Sequence, residues 1–148
     1  MSTYTQILYQ IVFSTKYRER TLTKDGRVDL FKYITGILKN KNCHLYSING
    51  VDDHIHIATH LHPSVALSSL VKDIKLASTS YIKQQRLFTK FNGWQNGYAG
   101  FTYSLQAKKN LINYIESQEE HHRQKSFREE LIDLLHEHSI PFNEKYLD

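Results

Sequence analysis

Cys43-His44-Leu45-Tyr46-Ser47-Ile48-Asn49-Gly50-Val51-Asp52-Asp53-His54-Ile55-His56-Ile57-Ala58-Thr59-His60-Leu61 is the stretch on which the fold turns. It reads as a hairpin. Cys43 to Asn49 forms one strand and Asp53 to Leu61 the other. Asn49-Gly50 marks the turn, because both residue types tolerate positive φ. Helical periods flank it on both sides. Upstream, Asp25-Gly26 starts a helix to about Lys41, with Leu30, Phe31, Ile34 and Leu38 on its core stripe. Downstream, Pro63-Ser64 opens a helix to about Phe88, carried by Leu67, Leu70, Val71, Ile74, Ala77, Tyr81 and Ile82.

Working outward, Thr5 to Ser14 alternates. Ile7, Tyr9, Ile11 and Phe13 lie on one face and Leu8, Gln10, Val12 and Ser14 on the other, which predicts a strand buried on both sides. A basic loop with Lys16, Arg18 and Arg20 follows. Asn92 to Gly97 is a loop around Trp94, and Tyr98 to Tyr103 a fourth strand. Ser104 is placed to cap a helix through about Arg123. Ser126-Phe127-Arg128-Glu129 is a capping box that starts a last helix to His138, before Pro141. The order is β-α-β-β-α-β with additional C-terminal helices. That is the α+β, ferredoxin-like split βαβ order. The whole chain, 1–148, reads as one domain: a core to 104, a helix over about 104–124, and a final helix and tail over about 126–148.

At 148 residues and 40% apolar content, such a domain can bury a core without staples. Cys43 is the only cysteine, so no internal disulfide forms, which fits a reducing cytoplasm. The uncharged start, Met1 to Thr15, lacks the basic flank of a signal peptide, and no stretch resembles a membrane span. The expected location is therefore cytoplasmic. The net charge of +4 is unevenly spread. Residues 1–115 hold fifteen Lys/Arg against six Asp/Glu, a balance of +9, and residues 116–148 hold four against nine, a balance of −5. A basic body fits a polyanion, of which nucleic acid is the usual one.

Two segments carry chemistry. In Asp53-His54-Ile55-His56-Ile57, strand alternation puts both imidazoles on one face. Such a pair can share a metal, and it can also be a hydrogen-bonded pair on a half-buried strand. In Tyr114-Ile115-Glu116-Ser117-Gln118, the four-residue spacing puts Tyr114 and Gln118 on one helix face. Taken alone, Tyr114 reads as a packing residue. Two imidazoles and an amide oxygen can hold a divalent metal, beside which a tyrosine can attack a phosphodiester. A histidine-triad hydrolase would need a third alternate histidine, and Ala58 stands there. One cysteine and no H-E-x-x-H argue against a structural or protease zinc site, and no P-loop is present.

These segments, together with Tyr9-Gln10-Ile11-Val12-Phe13, Thr15-Lys16-Tyr17-Arg18 and Trp94-Gln95-Asn96-Gly97-Tyr98 with Phe101 and Ser104, resemble the single-tyrosine HUH transposases of the insertion sequence 200/605 group. The resemblance spans nearly the whole chain. It implies His54, His56 and Gln118 as metal ligands, Tyr114 as nucleophile, and Mg2+ or Mn2+ as cofactor. It also implies a single-stranded DNA hairpin as substrate and a homodimer in which each tyrosine helix completes the other subunit's site. Gln10 departs from the family, which often has histidine there. His122, four residues beyond Gln118, faces the site side of its helix, and the pair His121-His122 imports no role. Lys16, Arg18, Arg20, Lys72, Lys75, Lys83 and Arg86 are candidates for DNA backbone contacts, and Trp94, Tyr98 and Phe101 for stacking on bases. Two alternatives share the pattern: a domesticated relative that processes chromosomal repeat hairpins, and a non-catalytic module like the RNA-recognition domains, which have the same strand order.

Overall fold

The central strand is β1 (Leu8–Ser14), which pairs antiparallel with β3 (His54–His60) on one side and β4 (Ala99–Tyr103) on the other. β2 (Leu45–Gly50) adds to β3, giving the order β2-β3-β1-β4. This is the ferredoxin-like sheet that the sequence predicts. The structure is a computed structural model and describes residues 1–147.

Strand alternation splits the interior into two layers. Ile11, Phe13, Ile55 and Ile57 face α1 (Lys24–Asn40) and α2 (Leu67–Gln85), packing on Leu30, Ile34, Leu38, Leu70, Ile74 and Ile82. The opposite face carries His54 and His56. It is covered by α3 (Lys108–Glu116), through Leu111 and Ile115 on Leu8 and Ala58, and by α5 (Phe127–Glu137), through Phe127, Leu131, Leu134 and Leu135 on Val12 and Phe101. The C-terminal helices thus turn a two-layer fold into three layers, and the histidine strand is buried on both sides.

β1 starts at Leu8 rather than Thr5, β2 at Leu45 rather than Cys43, and α2 ends at Gln85 rather than Phe88; three further differences each have a physical reason. The hairpin turn lies at Val51–Asp53, not at Asn49-Gly50. Asn49 and Gly50 are paired strand residues opposite His56 and Ile55, and Val51 N–H donates to the His54 carbonyl at 3.1 Å. Gly50 is needed for close approach: a Cβ there would sit 2.4 Å from the His54 carbonyl oxygen. The freed Asn49 amide donates to the Ile115 and Glu116 carbonyls at 3.0 and 3.2 Å, satisfying the end of α3. The helix from Pro63 starts only at Leu67, because 62–65 is a turn closed by Val65 N–H on the His62 carbonyl. The helix expected from Ser104 to Arg123 is broken at Ser117 into α3 and α4 (Gln118–His121), after a 3-10 turn at Leu105–Ala107. The capping box of Ser126 and Glu129 is present as predicted.

Candidate metal centre and nucleophile

β3 projects His54 and His56 toward α3 and α5, and both rings are fully buried. Each is oriented through its Nδ1. His54 Nδ1 lies 2.6 Å from Asp53 Oδ1, at the end of the turn. His56 Nδ1 lies 2.7 Å from Gln10 Oε1 on the neighbouring strand, and the other end of that amide donates to the Tyr103 hydroxyl at 2.7 Å. With the Nδ1–H donated, the Nε2 atom of each ring points into the space between sheet and helices.

That space contains a carboxylate. Glu130 of α5 is 4% exposed. Its Oε1 lies 3.2 Å from His54 Nε2, 3.0 Å from His56 Nε2 and 3.1 Å from His122 Nε2. Its Oε2 accepts the Tyr114 hydroxyl and, at 3.3 Å, the Gln118 amide. Gln118 Oε1 lies 3.1 Å from His122 Nε2. Tyr114, Gln118 and His122 share one helix face in steps of four, and the break at Ser117 does not disturb it. Phe127 stacks on the His54 ring at 4.3 Å between centroids and anchors the first turn of α5 to the site.

Burial and the Glu130 carboxylate set the electrostatics of the cluster. Burial pushes the His56 imidazole down to about 4, so it is neutral at pH 7. Its Nε2 lone pair then faces an ionised carboxylate. His54 feels the same burial, but the hydrogen bonds and charges of Asp53 and Glu130 outweigh it and raise its value. Burial also opposes ionisation of Glu130, yet its histidine partners hold it well below the usual carboxylate range. His54 Nε2, though close to Glu130, is buried without a properly aligned hydrogen bond. A lone pair, an aligned acceptor and an orphaned nitrogen converging on one point fit a bound metal ion. The ligand atoms of His54, His56, His122 and Glu130 all lie within 4.8 Å of one another, so this cluster could hold one. The Tyr114 phenol is pushed well above its ordinary value, by burial first and then by the charge of Glu130.

The structure thus brings Tyr114, His54, His56 and Gln118 together within one chain. Sequence reading gave no role to Glu130, Gln10 or Asp53, and none it could carry to His122. The one legible sign was Glu130 itself, a charge on the stripe 127, 130, 131, 134, 135 that is otherwise apolar. His60 lies at the end of β3, where its Nδ1 accepts the Ile7 amide.

The expected DNA contacts scatter. Trp94 and Phe101 are core residues. Trp94 packs edge-on against Phe13 at 5.0 Å, and its indole N–H donates to Ser78 at 2.9 Å. Tyr98 is exposed. Lys72, Lys75, Lys83 and Arg86 belong to α2 or its C-terminal cap, on the far side of the sheet from the histidines. Lys75 holds the Gln95 and Gly97 carbonyls. Arg18 lies over the Phe127 ring and donates to the Leu147 carbonyl. Lys16 and Arg20 are exposed, and Arg20 lines a cleft of about 320 Å3 that reaches His122 and Phe127 and is also lined by Arg27, Arg123 and Lys125. Among the described residues no helix is long and apolar enough to cross a membrane.

The fold is that of solved transposases. A putative transposase from Deinococcus radiodurans R1 superposes with a TM-score of 0.60 at 22% identity, covering 80% of this chain and 95% of that one. A REP-associated tyrosine transposase bound to a REP hairpin superposes at 0.59 and 16% identity, covering 79% and 72%. Within that class the chain belongs to the IS200-like transposase family, whose profile, described as "Transposase IS200 like", matches residues 3–118. The ISDra2 transposase TnpA of Deinococcus radiodurans is 25% identical over 118 residues, 76% of this chain and 84% of that protein.

Proposed function

We propose that this protein cuts and rejoins single-stranded DNA at a metal-dependent site with Tyr114 as nucleophile. The observation that carries the reading is the convergence of the Tyr114 hydroxyl and the Nε2 atoms of His54 and His56 on the two oxygens of one buried carboxylate, Glu130. His54 and His56, with Gln118 beside them, would hold Mg2+ or Mn2+. Such a cation, when bound, offsets the charge of the phosphodiester and of Glu130 and favours the phenolate.

The chain's own residues supply the rest. Glu130 Oε2 accepts the hydrogen bond of the phenol and so orients Tyr114 Oη, whose proton passes to solvent as it attacks. Tyr114 Oη forms a bond to phosphorus as the bond to the 3′ oxygen breaks. The 3′ oxygen leaves and gains a proton, and the 5′ phosphate stays on the tyrosine. A later 3′ hydroxyl reverses the step, because the ester conserves the cleaved bond's energy. His56 is held in one tautomer by Gln10 and His54 by Asp53, so neither must reorganise during the two steps.

The solved relative with a REP hairpin supports a DNA hairpin as the substrate class here, whether the chain serves a mobile element or chromosomal repeats. The exposed cations Lys16 and Arg20 would contact its backbone near the site, and Lys72, Lys83 and Arg86 on the far layer. A homodimer is compatible with this site, but Tyr114 reaches the histidines of its own chain without one.

The test is incubation with hairpin-bearing single-stranded DNA from the gene's own flanks, with Mn2+ or Mg2+, followed by a denaturing gel. A protein–DNA adduct that disappears in Tyr114→Phe and with chelator is expected. Binding without an adduct, indifferent to both, would make the protein a binding module instead.

A further inference from the structure

We propose that His122 and Glu130 are themselves ligands of the metal, so that α5 forms part of the catalytic centre of this chain. The inference rests on the metal-site reading above and adds to it two residues that lie past the end of the family match at 118.

Geometry is the first argument. Metal–nitrogen and metal–oxygen bonds of about 2.0–2.2 Å place adjacent ligand atoms about 3.0–3.4 Å apart, for octahedral and tetrahedral arrangements respectively. The Glu130 Oε1 atom lies 3.0, 3.1 and 3.2 Å from three imidazole nitrogens. Those are the separations of ligands around one ion. The second argument is placement. Glu130 stands on the apolar stripe of α5 between Phe127 and Leu131, where an unpartnered carboxylate is strongly disfavoured. Its position is fixed from the start of α5, by the capping box at Ser126 and by the stack of Phe127 on His54. His122 is held beside it by Gln118 and packs its ring 4.4 Å from that of His54. The third is the orphaned His54 Nε2, which faces this oxygen off the hydrogen-bonding line.

A rival account has the carboxylate fill the place a metal would take, as a plug. The two accounts give opposite signs. If Glu130 is a ligand, its removal weakens metal binding; if it is a plug, removal strengthens it.

The experiment titrates the full-length, metal-free protein with Mn2+ alone and follows free Mn2+ by electron paramagnetic resonance. Glu130→Gln and His122→Ala should each weaken binding by about tenfold or more, and Glu137→Gln, an exposed charge on the same helix, should not. Unchanged or tighter binding by Glu130→Gln overturns the proposal. His54→Ala separates the two levels: if it too leaves Mn2+ binding unchanged, the metal-site reading itself fails. Pulsed resonance on the loaded wild-type protein guards against a misfolded variant. Three coordinated imidazole nitrogens are expected, and two overturn the assignment of His122.

Discussion

Replacing Gln10 with leucine tests whether the strand beside the histidines orients them. Gln10 is fully buried on β1, with its amide oxygen 2.7 Å from His56 Nδ1 and its nitrogen 2.7 Å from the Tyr103 hydroxyl. Leucine has similar bulk, so the cavity cost is small. What is lost is the acceptor for a fully buried donor, which costs about 1–3 kcal/mol. Tyr103 is only half-buried and can turn to water, adding little. At this chain length 1 kcal/mol corresponds to roughly 2–4 °C, so the melting temperature should fall by about 3–10 °C. The larger consequence is chemical. Without Gln10 the His56 ring can rotate or change tautomer, and loss of such support typically weakens metal binding about 10–100-fold. Gln10→Glu should retain binding, because a carboxylate still accepts from Nδ1–H. The assays are thermal melting of the metal-free protein and Mn2+ titration. Wild-type affinity in Gln10→Leu, with a normal melting point, would refute the idea that β1 orients the site.

Two further expectations concern the core and pH. Trp94→Ala should cost about 3–5 kcal/mol in urea unfolding, since it empties a packed aromatic site against Phe13. A cost below about 1 kcal/mol with a loss of single-stranded DNA affinity would restore the base-stacking role instead. The metal-free protein should lose stability on acidification. Folded His56 titrates near 4 and an unfolded histidine near 6.5, so between these values the unfolded chain takes the extra proton. This contribution is fully present above pH 6.5 and falls by roughly 2 kcal/mol by pH 5. His54, raised in the folded state, has the opposite sign: its contribution grows as pH falls toward 6.5 and is complete below it, so the loss due to His56 stands out below about pH 6. Urea midpoints measured from pH 7 to 5 check this, and an equal slope in His56→Asn would refute it.

Much of this was legible in the sequence because periodicity is local. The alternation of β1 and of 54–60, the stripes of α1 and α2 and the capping box at Ser126 depend on near neighbours, and all appear in the structure. The Asn49-Gly50 signal misled because a glycine can serve close approach as well as a turn, and only the packing of β3 distinguishes them. For Trp94 the sequence left core and base contact both open, because a loop tryptophan carries no sign of the pocket that receives it. Tyr114, His54, His56 and Gln118 were readable as a set through their spacing and the family resemblance. Gln10 and Glu130 act on His56 from 46 and 74 residues away in sequence, and no period reports such pairs, while Asp53 orients the adjacent His54 only because of how the turn is folded.

Glu130 also links the site to the stability of the last helix. α5 docks through Phe127, Leu131, Leu134 and Leu135, a small apolar face interrupted by one ionised group. Docking therefore carries the desolvation of that carboxylate, which its partners must offset. A cation that binds only when α5 is docked stabilises the docked form by RT ln(1 + [L]/Kd), about 2.7 kcal/mol at a hundred times Kd. That is comparable to the gain from burying one large apolar side chain. Metal occupancy and helix docking are then one equilibrium. Removing metal should loosen α5 before it disturbs the sheet, because the other core, around Ile11, Phe13, Ile55 and Ile57, contains no ligand. Backbone hydrogen exchange shows the order directly: with chelator, amides of 127–137 should exchange faster while those of β1 and β3 keep their protection. Equal protection of α5 with and without Mn2+ would mean that its apolar face alone holds it in place.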